Sequence, residues 1–191
     1  MPNTGTRSPT NQTGLSYNQS NAYDGNDSTS ALSFVFGSSR THTLGGFDGD
    51  DLPAGSTVTG VKVTIRAQHY VIFSYEAATF ESVKLSLNDG SAYSSNILSS
   101  NQNTTTSAVD YEFGGESETW GLDWSGFTDI SDLKVEYITN AADGSGNHYF
   151  VTYEVEAIVY YTEAAEVTTE TNKVIMKSGT LNLKSGNIII K

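Results

Sequence analysis

The sequence has no cysteine. It therefore holds no disulfide, no thiolate nucleophile and no Cys-ligated zinc. Basic residues are few, 10 Lys+Arg against 22 Asp+Glu, and the net charge of −12 argues against a nucleic-acid binder, which needs a cationic footprint on phosphates. No apolar run approaches the ~20 residues that cross a bilayer, so membrane insertion is not expected. The leading residues MPNTGTRSPTNQTGLSYN lack the charged-then-apolar pattern of a secretory signal, and a chain kept in the cytoplasm or released by lysis is expected. No segment of ten or more residues repeats convincingly at the helical period of 3.6.

What is present is turn and strand chemistry. Ser, Thr, Asn and Gly supply 79 of 191 residues. Leu32–Phe36 is a short apolar run, with Thr41–Leu44 expected as its partner across the turn at 37–40. Over Val58–Phe73, the residues Val61, Val63, Ile65 and Ala67 alternate with Lys62, Thr64, Arg66 and Gln68, which gives a strand with one buried and one wet face. Val83, Leu85 and Leu87 repeat the pattern, as do Val109, Tyr111 and Phe113, and Leu133, Val135 and Tyr137. In the last long strand, Tyr149–Tyr161, one side is expected to carry Val151, Tyr153, Val155, Ala157 and Val159, and the other Thr152, Glu154, Glu156, Ile158 and Tyr160. Turns at Pro53-Ala54-Gly55, Asn88-Asp89-Gly90, Gly114-Gly115 and Asp143–Gly146 separate the runs. Alternating strands without intervening helices predict an all-β, antiparallel sandwich or barrel.

The two ends differ. Residues 1–30 read as an irregular arm and leading loop, pinned by Leu15, Tyr17, Ala22 and Tyr23. The β-sandwich is expected over 31–162 and a linker over 163–173. From Val174 a seven-residue period sets in, with Lys177-Ser178-Gly179 and Lys184-Ser185-Gly186 in equivalent places. Recurring Gly and Ser exclude a coiled coil and predict a C-terminal arm of short repeated strands over 174–191. Its apolar side, Val174, Met176, Leu181, Leu183, Ile188 and Ile190, needs a cover. The expectation is oligomerisation, as a trimer, or anchoring. Residues 171–191 carry four lysines and no acid, whereas 1–170 carry 22 acids and 6 bases, so a basic tail could dock on an acidic surface.

Asn21-Ala22-Tyr23-Asp24-Gly25, Leu52-Pro53-Ala54-Gly55 through Val61, Val83–Leu87, Phe113-Gly114-Gly115 through Trp120-Gly121-Leu122-Asp123-Trp124, and Val159–Thr162 follow in order. This ordered set, over residues 15–162, resembles the jelly-roll-like β-sandwich of bacteriophage virion structural proteins and some bacterial surface proteins. The resemblance implies a jelly-roll-like sandwich and a non-enzymatic virion protein of the capsid-decoration, head-fibre or tail-attached type. Such a protein is assembled in the host cytoplasm and partnered by capsid or tail proteins. A second reading is a carbohydrate-binding module or host-glycan adhesin, with Trp120, Trp124 and exposed tyrosines stacking on sugars. A glycan-degrading enzyme ranks below both.

Each site candidate has a plain structural role beside it. Trp120 and Trp124 are apolar bulk suited to closing one end of the sandwich. Glu112, Glu116 and Glu118 cluster in sequence, but a glycosidase needs two carboxyls across a cleft. His42, His69 and His148 lack ligand spacing. Asp24, Asn26 and Asp27, and Asp48, Asp50 and Asp51, are oxygen-rich enough for calcium, yet Asp and Asn are also the usual turn residues. No catalytic residue, cofactor or metal is expected.

Overall fold

Strand alternation decides the layers. A computed structural model describes residues 2–15, 18–22, 24, 26, 28–35, 39–49, 51–71, 77–88, 90–141 and 148–164, with backbone alone at 34, 35, 71, 141 and 148. Nine strands form there: β1 (Asn11–Thr13), β2 (Ala31–Val35), β3 (Arg40–Gly45), β4 (Thr57–Val71), β5 (Ala78–Ser86), β6 (Gln102–Asn103), β7 (Val109–Gly114), β8 (Lys134–Ala141) and β9 (His148–Thr162). They make two antiparallel sheets, ordered β1-β3-β8-β5-β6 and β2-β9-β4-β7. The chain is an all-β, jelly-roll-like sandwich.

The inner faces meet as the pattern demands. Val61, Val63, Ile65 and Ala67 of β4 are fully buried, opposite Val83 and Leu85 of β5 and Val135 and Tyr137 of β8. Phe80 is the hub of the core. Its ring meets Tyr111, Phe113, Tyr137 and Phe150 edge-on at centroid distances of 5.1–5.9 Å. Edge-on pairs set the positive ring edge against the negative ring face, which adds to the burial itself.

Several expectations change. β2 and β3 are not hairpin partners: β2 pairs with β9 and β3 with β8, so the two strands lie in different sheets. Phase also shifts within two strands. Ala67 faces Thr152 while Arg66 faces Glu154, so Tyr153 is an extra residue in β9. That bulge turns Phe150 and Thr152 inward and Val151 outward, reversing the expected sides in the first half of β9. A second irregularity, between Phe80 and Ser82, brings Phe80 onto the same face as Val83. Ser86, expected in water, is buried, and its Oγ accepts from Gly90 N at 3.1 Å.

The leading segment is built into the sandwich. Thr4 N and Arg7 N donate to Val159 O and Ala157 O, and Ala157 N and Tyr161 N donate back to Arg7 O and Pro2 O. Residues 11–13 then pair with β3 of the other sheet. One segment thus borders both sheets. Leu15 and Ala22 are buried, as expected; Tyr17 and Tyr23 lie outside the described residues. The linker from 165 onward and the arm at 174–191 also lie outside them, and with it Val174, Met176, Leu181, Leu183, Ile188 and Ile190.

Candidate functional site

The outer face of the β2-β9-β4-β7 sheet gathers side chains that alternation turns away from the core. β4 contributes Lys62, Thr64, Arg66, Gln68 and Tyr70, β7 contributes Asp110 and Glu112, and β9 contributes Tyr149, Glu154 and Glu156 with the bulged Tyr153. Register sets them in rows. Arg66 stands between Asp110 and Glu154, Thr64 between Glu112 and Glu156, and Tyr70 opposite Tyr149. From Lys62 to Tyr70 the row runs about 27 Å at the strand rise per residue.

One end of this face is aromatic. Tyr70 is 62% exposed, and its ring lies 6.4 Å from that of Tyr149, tilted by 56°. Next in line, Gln68 Nε2 donates to the Tyr153 hydroxyl at 2.9 Å, which fixes the orientation of that phenol. The centre is polar. Thr64, Arg66, Asp110, Glu154 and Glu156 line a shallow groove of ≈ 100 Å³. Arg66 Nη1 donates to Asp110 Oδ1 at 2.9 Å and Lys62 Nζ to Glu112 Oε1 at 2.7 Å. The Glu112 hydrogen bond holds the Lys62 pKa above its ordinary value. Both pairs are solvated and add little stability. Their consequence is order, since each holds a long side chain against the sheet. The exposed Tyr70 ring, with half-buried Tyr149 and Tyr153 beside it and a row of fixed donors and acceptors next to them, can stack on an apolar ring face and hydrogen-bond its polar rim.

The tryptophans do not contribute to that face. Trp120 is 3% exposed and Trp124 9%, and their indole N–H groups donate to Val61 O at 2.9 Å and Thr119 O at 2.8 Å. Trp124 packs edge-on against Phe127 at 5.1 Å. Neither ring has an open face for a sugar, so of the two readings of Trp120 and Trp124 their burial supports packing and not stacking. The backbone bends to allow it. Trp120 has φ +58°, and a Cβ at Gly114 (φ +77°) would collide with the Val61 carbonyl and the Trp120 indole.

The carboxylate candidates are similarly placed by structure. Glu112 pairs with Lys62, Glu118 Oε1 accepts from Trp120 N at 2.8 Å, and Glu116 is an exposed residue just beyond β7. None of the three lines the groove at Arg66. Asp24 accepts from Asn26 N and Thr29 Oγ1 and so serves a turn, while Asp48 accepts from Ser8 N and ties down the leading segment. Asp27 and Asp50 lie outside the described residues, and among the described residues no group of three or more His, Asp or Glu is placed to hold a metal ion. Asp123 and Asp129 flank a dent of ≈ 190 Å³. Their hydrogen bonds from Ser125 and Ser131 hold both carboxyls below the usual range, as turn caps do. His42 is buried in the core and His69 donates or accepts at Thr104 Oγ1, 3.1 Å away.

The residues that make the face are legible in part. Continuing the β4 alternation two steps past Gln68 reaches Tyr70. Glu154 follows from the alternation of β9, whereas Tyr153 joins this face only through the bulge, which leaves no mark in the hydrophobic pattern.

No protein-family model matches the chain, and no curated protein matches it. Among solved structures it is similar to the xylan-binding module CBM15, at 14% identity and TM-score 0.41 over 84% of this chain and 93% of that one. It is also similar to CBM32-1 from a family 31 glycoside hydrolase of Clostridium perfringens, at 14% identity and TM-score 0.40 over 80% and 96%. A third is chitosan-binding module 1 from a chitosanase/glucanase of Paenibacillus sp. IK-5, at 16% identity and TM-score 0.39 over 82% and 92%. None of the three is a virion protein. Likeness at this level carries no weight for ligand or mechanism, and the fold stands on the strand order itself.

Proposed function

We propose that the chain is a non-catalytic glycan-binding domain whose ligand lies along the outer face of the β2-β9-β4-β7 sheet. The observation that carries it is the exposed Tyr70, set against Tyr149 and in line with Tyr153 and the polar groove at Arg66. A tyrosine gives a sugar ring an apolar platform, while Gln68, Arg66 and the carboxylates meet its hydroxyls. The row from Lys62 to Tyr70 runs about 27 Å, which suits an extended chain rather than a small enclosed ligand. Nothing among the described residues bears on the virion role or the trimer expected from the sequence.

Binding of the intact chain to a panel of immobilised polysaccharides tests the proposal. At least one should bind, and Tyr70→Ala should weaken it about fivefold, the loss of roughly 1 kcal/mol of stacking. A panel with no binder rejects it.

A further inference from the structure

We infer that this face sorts glycans by charge. It takes chains bearing free amino groups ahead of neutral ones and refuses chains bearing uronate carboxyls. The inference rests on the glycan-binding proposal and names the substrate class of that same face.

The charges are Lys62 and Arg66 from β4 against Asp110 and Glu112 from β7 and Glu154 and Glu156 from β9. Whatever pairs form, the described residues of the face carry two more carboxylates than cations. Both cations are already engaged, at 2.7 Å and 2.9 Å from carboxylate oxygens of β7. A sugar carboxylate would have to share the Arg66 guanidinium with Asp110, whose Oδ1 lies 2.9 Å from Nη1, and would meet the excess negative charge within one Debye length. An ammonium meets the opposite field. Glu156 and the 4%-exposed Glu154 both line the groove, so a cation there sits beside two carboxylates, one of them largely withdrawn from water, where its attraction is less screened. The tyrosines alongside serve the same guest, since an aromatic face attracts a cation as well as a sugar ring. The rest of the molecule reinforces the sign, with a net charge of −12.

The test is calorimetric titration of the full chain at about pH 6 and low salt with three oligomers: β-1,4-glucosamine, β-1,4-glucose and galacturonate. The first two share a backbone and differ at the 2-amino group, so their affinity ratio isolates the charge. The glucosamine oligomer should bind about tenfold more tightly than the glucose oligomer, with the advantage shrinking as salt is added. The galacturonate oligomer should not bind. Glu156→Gln, with folding checked by circular dichroism, should lower the glucosamine-to-glucose ratio several-fold. A ratio near one, or uronate binding equal to either, overturns the inference while leaving glycan binding intact. No binding to any of these, nor to the wider polysaccharide panel, overturns both.

Discussion

His42 Nε2 and Thr139 Oγ1 lie 2.9 Å apart in the interior between the two sheets, with the His42 ring stacked on Tyr137 at 4.6 Å. Burial, and secondly the nearby Arg40 charge, lower the His42 pKa to about 3 from 6.5. The folded ring is therefore neutral wherever the unfolded ring begins to take a proton. Its contribution is complete above about pH 6.5 and is lost as pH falls toward 3, by at most about 1.4 kcal/mol per pH unit. Urea unfolding of the wild type and His42→Gln should show the gap between them narrowing from pH 6.5 to 4. Parallel profiles would contradict the buried neutral imidazole.

Trp120 and Trp124 serve packing, so their loss should appear in stability and not in binding. Trp120→Ala removes a buried indole and leaves the Val61 carbonyl without that donor, a cost of about 3–5 kcal/mol. Trp124→Ala should cost less, because its ring is nearer solvent. Chemical denaturation measures both. In the folded fraction, glycan affinity of Trp124→Ala should match the wild type; a specific loss there would restore the tryptophan to the binding surface.

The leading segment should act as an edge strip. Deleting residues 1–9 removes four backbone hydrogen bonds along β9 and bares its edge between Ala157 and Tyr161. At roughly 1 kcal/mol each, the loss is about 4 kcal/mol, and an open edge invites pairing with another chain. Thermal melting should drop, and light scattering should show association rising with concentration. An unchanged melt and unchanged mass would mean that the segment is dispensable.

Where hydrophobic alternation is unbroken, the sequence states the fold. Val61–Ala67 and Leu133–Tyr137 have the expected faces because each strand keeps one phase along its length. It misleads wherever a single extra residue enters. Tyr153 shifts β9 by one, so Phe150 reaches the core although its parity with Val155 argues against it. The jump of β2 and β3 to different sheets is equally hidden, since a short connection of Gly, Ser and Arg serves a sheet crossing as well as a hairpin. The outer face of the β2-β9-β4-β7 sheet inherits the first effect. Arg66, Gln68 and Glu154 are legible as outward residues, but their neighbour Tyr153 is set by the bulge. The tryptophans show the converse, conspicuous in composition and yet silent at the surface.

Amide chemical-shift mapping with a bound oligosaccharide tests the central claim most directly. Perturbations should concentrate at Arg66, Gln68, Tyr70, Asp110, Tyr149 and Tyr153–Glu156, and leave the Trp120–Trp124 segment unmoved. Perturbations confined to the outer face of the other sheet, or to that tryptophan end, would contradict it.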